Sequence, residues 1–160
     1  LEEVVLALLK ERNMTLSAAE SCTGGLIAKR MTDLPGASAA FRGGVVSYAT
    51  QVKHTVLGVP EDLLEQFGAV SDPVARAMAQ GARKVLGCDL AVSATGVAGP
   101  NPDERGNPVG LIFVALSAPD GTWVRELQAG GIRERSRTVA ANHAFDLVRR
   151  YLDGLPLKAT

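Results

Sequence analysis

Residues 71–96, "SDPVARAMAQGARKVLGCDLAVSATG", predict a helix that is followed directly by a strand. Ser71 or Asp72 can cap the start of the helix, and Pro73 suits its first turn. Gly87 closes the helix, because glycine readily adopts the left-handed conformation found at helix ends. A helix that passes into a strand in this way is the building unit of a layered α/β fold.

The same alternation continues along the rest of the chain. Helices are expected over 1–13, 23–33, 50–58, 59–68, 71–87 and 132–152, and strands over 15–21, 40–49, 88–96, 111–118 and 121–130. The apolar face of the first helix is expected to comprise Val4, Val5, Leu8 and Leu9. Thr23 is the natural N-cap of the second helix.

The last two strands surround the turn "PDG" and predict an antiparallel hairpin, which makes the sheet mixed. The fold class expected from this pattern is α/β, with three α/β/α layers. The length of 160 residues fits one domain spanning 1–160, in which 155–160 form a tail.

Composition narrows the range of functions. The chain is 46% hydrophobic and 21% charged, which is typical of a globular protein. Its 17 acidic and 17 basic residues balance, which argues against a nucleic-acid surface or a basic membrane face. No apolar run reaches the roughly 18 residues of a membrane span. Cys22 and Cys88 lack a CxxC spacing, so reduced thiols and a cytoplasmic location are expected.

The stretch "AESCTGG", residues 19–25, carries the first candidate for chemistry. Ser21 lies at the predicted end of a strand, where the free N–H groups of the next turn favour an anion or a developing oxyanion. The serine can be a nucleophile or simply a cap. Neighbours on a strand face opposite ways, so if Ser21 faces the site, Cys22 faces the core. Cys88 is also expected to be packed.

A serine nucleophile needs a base to remove its proton. His143 lies beside the apolar side of the last helix and is expected to be packed, and His54 follows Lys53 on a short helix, so no Ser-His-Asp set emerges. Lys53 can act as the base if burial lowers its pKa toward 7. Taken alone, a lysine at such a position is more often solvated. No HExxH or paired-cysteine spacing predicts a metal site.

Two further stretches remain open between a functional and a structural interpretation. The loop within "SATGVAGPNPDERGNPVG" follows a strand and is either part of a site or a surface turn. In "GGIRERSR", Arg133, Arg135 and Arg137 crowd a helix start, where the helix dipole disfavours cations. A bound phosphate or a carboxylate of a neighbouring subunit would offset that cost, and a solvated turn is the alternative.

Three of these stretches, "AESCTGG", "SYATQVKHTVLGV" and "SATGVAGP", occur in this order before the arginine-rich turn. Together they resemble the C-terminal domain of the CinA (competence/damage-inducible protein) family, over residues 1 to 152. Stand-alone members are nicotinamide-mononucleotide amidases. The resemblance implies an amidohydrolase of pyridine-nucleotide recycling that converts nicotinamide mononucleotide and water to nicotinate mononucleotide and ammonia. It also implies a serine nucleophile with a lysine partner, without metal or cofactor.

By motif position, the resemblance implies that Ser21 is the nucleophile, Lys53 the base and Tyr48 a further catalytic residue. The implied substrate-binding residues are Thr23, Gly24, Gly25, Thr95, Gly96 and Arg135, and backbone N–H groups near Thr23 and Gly24 are expected to hold the oxyanion. The family's usual "SYSNEVK" is "SYATQVK" here, which keeps the tyrosine and the lysine. The resemblance favours a homodimer or a higher homo-oligomer with a small nucleotide as its partner. The alternatives are a nucleotide-binding module without activity and an interaction protein of DNA uptake or repair.

Overall fold

The computed structural model of the chain, which describes residues 1–157, is a layered α/β domain. Its helices are α1 (Glu2–Arg12), α2 (Leu26–Thr32), α3 (Thr50–Thr55), α4 (Glu61–Phe67), α5 (Asp72–Leu86) and α6 (Arg133–Leu152). Its strands are β1 (Leu16–Glu20), β2 (Phe41–Val46), β3 (Leu90–Gly96), β4 (Leu111–Ala118) and β5 (Gly121–Gln128). A 3-10 turn, Ala37–Ala39, precedes β2.

The five strands form one mixed sheet in the order β2-β1-β3-β4-β5. Strand β1 is parallel to both of its neighbours, and Glu20 at its end pairs with Val46 of β2 and with Ala94 of β3. Strands β4 and β5 form the predicted antiparallel hairpin, and β4 is also antiparallel to β3. The carboxyl ends of β1, β2 and β3 therefore meet at one edge, where α/β sheets place their sites.

Alternate residues of the strands pack against two separate helical layers. In β3, Leu90 and Val92 join the core beneath α1, α2 and α6, whereas Ala91 between them packs against α5. In β4, Val114 joins the same core as Leu90 and Val92, whereas Ala115 packs against α5. This arrangement is the expected three-layer α/β/α domain, and it explains why the central strands are buried on both faces.

The buried face of α1 differs from the prediction. Val5, Leu6 and Leu9 are buried, whereas Val4 is 47% exposed and Leu8 only partly buried. The apolar arc of this helix is wider than the surface it covers, so two helical faces fit the sequence pattern equally well. Tertiary packing determines which of the two faces is buried.

The start of α2 also differs, and the prediction that Thr23 is its N-cap is wrong. The helix begins at Leu26, and its cap position is Gly25, with φ of 104° and no side-chain cap. The Thr23 side chain is buried and unpaired within residues 1–157. The reason is that the Glu20 carboxylate accepts hydrogen bonds from the free N–H groups at the start of this helix.

The chain continues to contact the domain after α6. Arg125 Nε donates to the carbonyl of Leu157 at 2.9 Å, and Arg150 Nη1 donates to the carbonyl of Pro156 at 3.2 Å. Residues 155–157 of the predicted tail are therefore attached to the body, and 158–160 lie outside the described residues. No helix within 1–157 combines the length and apolarity needed to cross a bilayer.

Candidate active site

The edge where the parallel strands end brings together two side chains that are 32 residues apart in the chain. Ser21 is the first residue after β1. Strand β2 is the parallel neighbour of β1, and α3 follows it closely, so Lys53 on α3 returns over the end of β1. Lys53 Nζ lies 2.9 Å from Ser21 Oγ, which is hydrogen-bond distance. The structure thus places the predicted nucleophile and base in direct contact.

Lys53 is buried, and burial favours its neutral form. It is 1% exposed, and no carboxylate of residues 1–157 lies within 4.0 Å of its Nζ. Besides Ser21, the Nζ atom contacts the carbonyls of Ser47 at 2.6 Å and Tyr48 at 3.4 Å. Burial lowers the pKa of Lys53 from its ordinary 10.5 to about 8.

The contacts also orient the amine. Carbonyl oxygens only accept hydrogen bonds, so the two carbonyls of Ser47 and Tyr48 take the two N–H bonds of a neutral amine. The nitrogen lone pair is then left for the hydroxyl of Ser21, 2.9 Å away. The protonated amine donates to Ser21 Oγ, and once it has lost its proton Ser21 can donate to the amine instead, as general-base catalysis requires.

Glu20, which precedes Ser21, is a site residue that the sequence analysis missed. Its carboxylate is 1% exposed, and it accepts hydrogen bonds from the N–H of Ile27 at 2.8 Å and of Ala28 at 3.0 Å. The protein's own carboxylate therefore fills the N-terminus of α2, where the sequence predicted an anion site. An acidic residue at the end of a strand of small buried residues was the available signal, because a buried carboxylate requires donors.

The predicted substrate contacts in the turn after Ser21 shape the turn instead. Gly24 and Gly25 have φ values of 58° and 104°, which suit glycine, and Gly24 N–H donates to the Ser21 carbonyl at 3.1 Å. Thr23 accepts a hydrogen bond at its carbonyl from Arg137 Nη2 at 2.8 Å. None of the three predicted residues lines the cavity beside Ser21.

A cavity of about 300 Å³ opens beside the Ser21–Lys53 pair. One wall is residues 69–70, which follow α4, and another is the loop that follows β3. The lining residues are Ser21, Cys22, Tyr48, Thr50, Lys53, Ala69, Val70, Thr95, Gly96, Val97, Ala98, Gly99, Asn101, Asp103, Glu104, Arg105 and Arg133. Larger surface depressions lie elsewhere, but neither Ser21 nor Lys53 lines them, so this smaller cavity is the candidate site.

Three more of the predicted site residues, Tyr48, Thr95 and Gly96, line this cavity, and their contacts differ. The Tyr48 side chain is at the rim, and its hydroxyl accepts a hydrogen bond from Arg133 Nη2 at 3.2 Å, so only its carbonyl contacts Lys53. Thr95 Oγ1 donates to the carbonyl of Ala69 at 2.8 Å. A Cβ atom at Gly96 would lie 2.9 Å from the Leu111 carbonyl, and this close approach requires glycine.

Of the arginines in "GGIRERSR", Arg133 lines the cavity, whereas Arg135, the predicted substrate contact, does not. Arg133 Nη1 donates to the carbonyl of Gly99 at 2.6 Å. Arg135 lines a separate depression of about 510 Å³ with Val139. Residues two apart on a helix face different directions, so only one of these two arginines can turn toward the cavity. The choice depends on how α6 docks, which no local signal shows.

The remaining thiol and imidazole groups do not compete for the role of nucleophile or base. Burial raises the pKa of the Cys22 thiol to about 12, and the side chain belongs to the main core, as predicted. His54 Nδ1 lies 2.8 Å from the Val59 carbonyl. His143 is partly buried 3.2 Å from Arg125, and burial followed by the nearby Arg125 cation lowers its pKa. Neither histidine lines the cavity.

These observations define a class of protein, a three-layer α/β domain with a buried serine–lysine pair where its parallel strands end. The family model described as the CinA C-terminal domain matches residues 1–152. The chain belongs to this family, as the three sequence stretches predicted.

Relatives of known name and structure agree with this assignment. A CinA-like protein from Frankia casuarinae is 57% identical over 156 residues, covering 98% of this chain and 36% of that protein. A CinA-like protein from Desulfovibrio desulfuricans is 48% identical over 162 residues, covering 99% of this chain and 38% of that protein. The chain thus spans a little over a third of the length of these relatives.

Solved structures share the fold over nearly the whole chain. The competence/damage-inducible protein of Agrobacterium tumefaciens superposes with a TM-score of 0.89 at 35% identity, covering 95% of this chain and 94% of that one. The competence damage-inducible protein A of Klebsiella pneumoniae has a TM-score of 0.92 at 29% identity, with 95% and 94% covered. The mixed α/β fold expected from the sequence is confirmed.

Proposed function

We propose that this domain is an amidohydrolase that converts nicotinamide mononucleotide and water to nicotinate mononucleotide and ammonia. The observation that carries the proposal is the contact of 2.9 Å between Lys53 Nζ and Ser21 Oγ in a buried site, where the lysine pKa is about 8. The resemblance to stand-alone amidases supports the substrate, whereas the names of the relatives speak of competence and damage.

Acylation begins with the neutral amine. With a pKa of about 8, about one-tenth of Lys53 is uncharged at pH 7, which is enough for a working general base. Lys53 takes the proton of Ser21 as Oγ bonds to the carboxamide carbon, and the carbonyl electron pair moves onto oxygen. The N–H of Cys22, which donates to no backbone carbonyl within residues 1–157, is the candidate donor to this oxyanion.

Collapse of the tetrahedral intermediate breaks the carbon–nitrogen bond. Lys53, now an ammonium, returns its proton to the leaving nitrogen, so that neutral ammonia departs and an ester to Ser21 remains. Neutral Lys53 then removes a proton from water, which attacks the ester. The proton returns to Ser21 Oγ, nicotinate mononucleotide leaves as a carboxylate, and its second proton passes to solvent.

Arg133 is the proposed contact for the phosphate of the substrate. Its guanidinium lines the cavity and forms no ion pair within 4.0 Å with a carboxylate of the described chain. Its present partners, the Gly99 carbonyl and the Tyr48 hydroxyl, are neutral. The planar fork of an arginine can bind two phosphate oxygens at once, so a phosphate would replace weaker neutral acceptors.

Ammonia release from nicotinamide mononucleotide tests the proposal. Ser21→Ala and Lys53→Ala should each lower kcat by about a thousandfold or more, because the two groups act as one unit. Ser38→Ala and Lys84→Ala are matched controls at exposed positions and should retain full activity. Undiminished ammonia release by Ser21→Ala would refute the mechanism, and nucleotide binding without hydrolysis by the wild type would favour a non-catalytic module.

A further inference from the structure

The loop of residues 97–110, which forms a wall of the cavity, is ordered by one carboxylate. Asp103 Oδ1 accepts hydrogen bonds from the backbone N–H of Arg105 at 3.0 Å and of Asn107 at 2.9 Å. Asp103 Oδ2 accepts a third from Asn107 Nδ2 at 2.8 Å. These hydrogen bonds connect residues 103, 105 and 107, so a contact that holds Arg105 in place also holds this part of the cavity wall.

Arg105 extends from this loop to the end of helix α4. Its Nη1 donates to the carbonyl of Gln66 at 3.3 Å, and its Nη2 contacts the carbonyls of Glu65 and, at 3.5 Å, Leu64. The last carbonyls of a helix lack partners within the helix and carry partial negative charge, so a cation is favoured there. A Cβ at Gly68 would lie 2.5 Å from Arg105 Cδ, so the glycine leaves room for the arginine stem.

The helix end that Arg105 contacts continues directly into the facing wall of the cavity. Ala69 and Val70 line the cavity two to three residues after α4. The Ala69 carbonyl accepts the hydrogen bond from Thr95, on the strand that leads into the loop. Arg105 is thus a second connection between the two walls, and it joins them farther along the loop than Thr95 does.

We propose that Arg105 is a positioning residue that holds the loop of residues 97–110 against the end of α4 and so preforms the substrate cavity. This inference rests on the proposed function. Without the contact, the loop must be ordered when the substrate binds, which weakens binding. The chemical step changes little, because Ser21 directly follows β1 and Lys53 lies on α3, and their contact involves neither the loop nor Arg105.

The test compares Arg105→Ala with Arg42→Ala. Arg42 is an exposed arginine on β2 whose side chain makes no hydrogen bond or ion pair within the described chain, so it controls for loss of a surface charge. Arg105→Ala should raise KM for the mononucleotide about tenfold and leave kcat within about twofold, as for loss of one charge-assisted contact. Arg42→Ala should change neither constant.

Hydrogen exchange of residues 97–110 supplies a readout that does not depend on activity. It should be faster in Arg105→Ala than in the wild type, and Arg105→Lys, which keeps the charge but not the fork, should be intermediate in exchange and in KM. Unchanged KM, or a fall in kcat alone, would overturn the inference. If the wild type does not hydrolyse the nucleotide, the proposed function fails, and the exchange rates alone decide whether Arg105 holds the loop.

Discussion

Replacing Lys53 by methionine should stabilise the protein at neutral pH while it abolishes catalysis. The Lys53 side chain is 1% exposed. Methionine has a similar length and flexibility but no charge, so it suits this buried site. Burial lowers the lysine pKa from 10.5 to about 8, and this difference corresponds to about 3 kcal/mol of folding free energy.

The direction of the pH dependence follows from the number of protons that the folded and unfolded states bind. Between pH 8 and 10.5 the unfolded lysine is protonated and the folded one is not, so stability rises with pH through this window and is lowest, on this account, below pH 8. Methionine removes the whole free-energy cost of burying the charged amine. It also leaves the carbonyls of Ser47 and Tyr48 without the Lys53 donor, at about 1 kcal/mol each.

The two effects predict that the difference in stability between Lys53→Met and the wild type changes sign with pH. Lys53→Met should be about 1 kcal/mol more stable than the wild type at pH 7 and about 1 kcal/mol less stable at pH 10, where most of the charge penalty has disappeared. Urea unfolding of both proteins at the two pH values measures this difference, and exposed Lys84→Met is the control. A variant less stable at pH 7, or a difference that does not change with pH, would refute the reasoning.

Three further outcomes follow from the site geometry. The rate constant kcat/KM for ammonia release should rise about tenfold per pH unit below pH 8 and level off above it, because Lys53 must be uncharged; a flat profile would exclude this base. Glu20→Gln should lower the free energy of unfolding in urea by about 2 kcal/mol, because an amide offers one acceptor oxygen to two helix N–H groups. In steady-state kinetics, Arg133→Ala should raise KM about tenfold and Arg135→Ala should not, since only the first lines the cavity; equal effects would contradict this placement.

The fold was predictable because its signals are local and repeat along the chain. The predicted helix and strand over 71–96 correspond to α5 and β3, with Gly87 in the left-handed conformation at the C-cap. Ser71 occupies the N-cap position, but its side chain donates to the Gly68 carbonyl and does not cap the helix. Where tertiary contacts decide, the prediction was less accurate. The β pattern over 40–49 exceeds β2, which ends at Val46, because β2 pairs with only one short neighbour before the chain turns toward α3.

The site was predictable to the extent that chain order determines it. Ser21 follows β1 and Lys53 follows β2 within a short helix, so parallel pairing of these strands is sufficient to bring them together. The choice of Arg133 over Arg135 and the cap formed by Glu20 depend instead on how helices dock. Docking angles are set by packing of whole surfaces, which spacing along the chain does not encode.

The absence of an ion pair between Glu20 and Lys53 within the described residues is a condition for the proposed role of the lysine as a base. A buried carboxylate and a buried amine at one edge of a sheet would ordinarily form an ion pair, which raises a lysine pKa and keeps the amine protonated. Here the carboxylate accepts the N–H groups of Ile27 and Ala28, and the amine contacts only Ser21 and two backbone carbonyls. Each group is satisfied by neutral partners, so the lysine carries the full effect of burial. The turn "ESCTGG" therefore does more than present a hydroxyl, because the helix that follows it also occupies the carboxylate of the preceding Glu20.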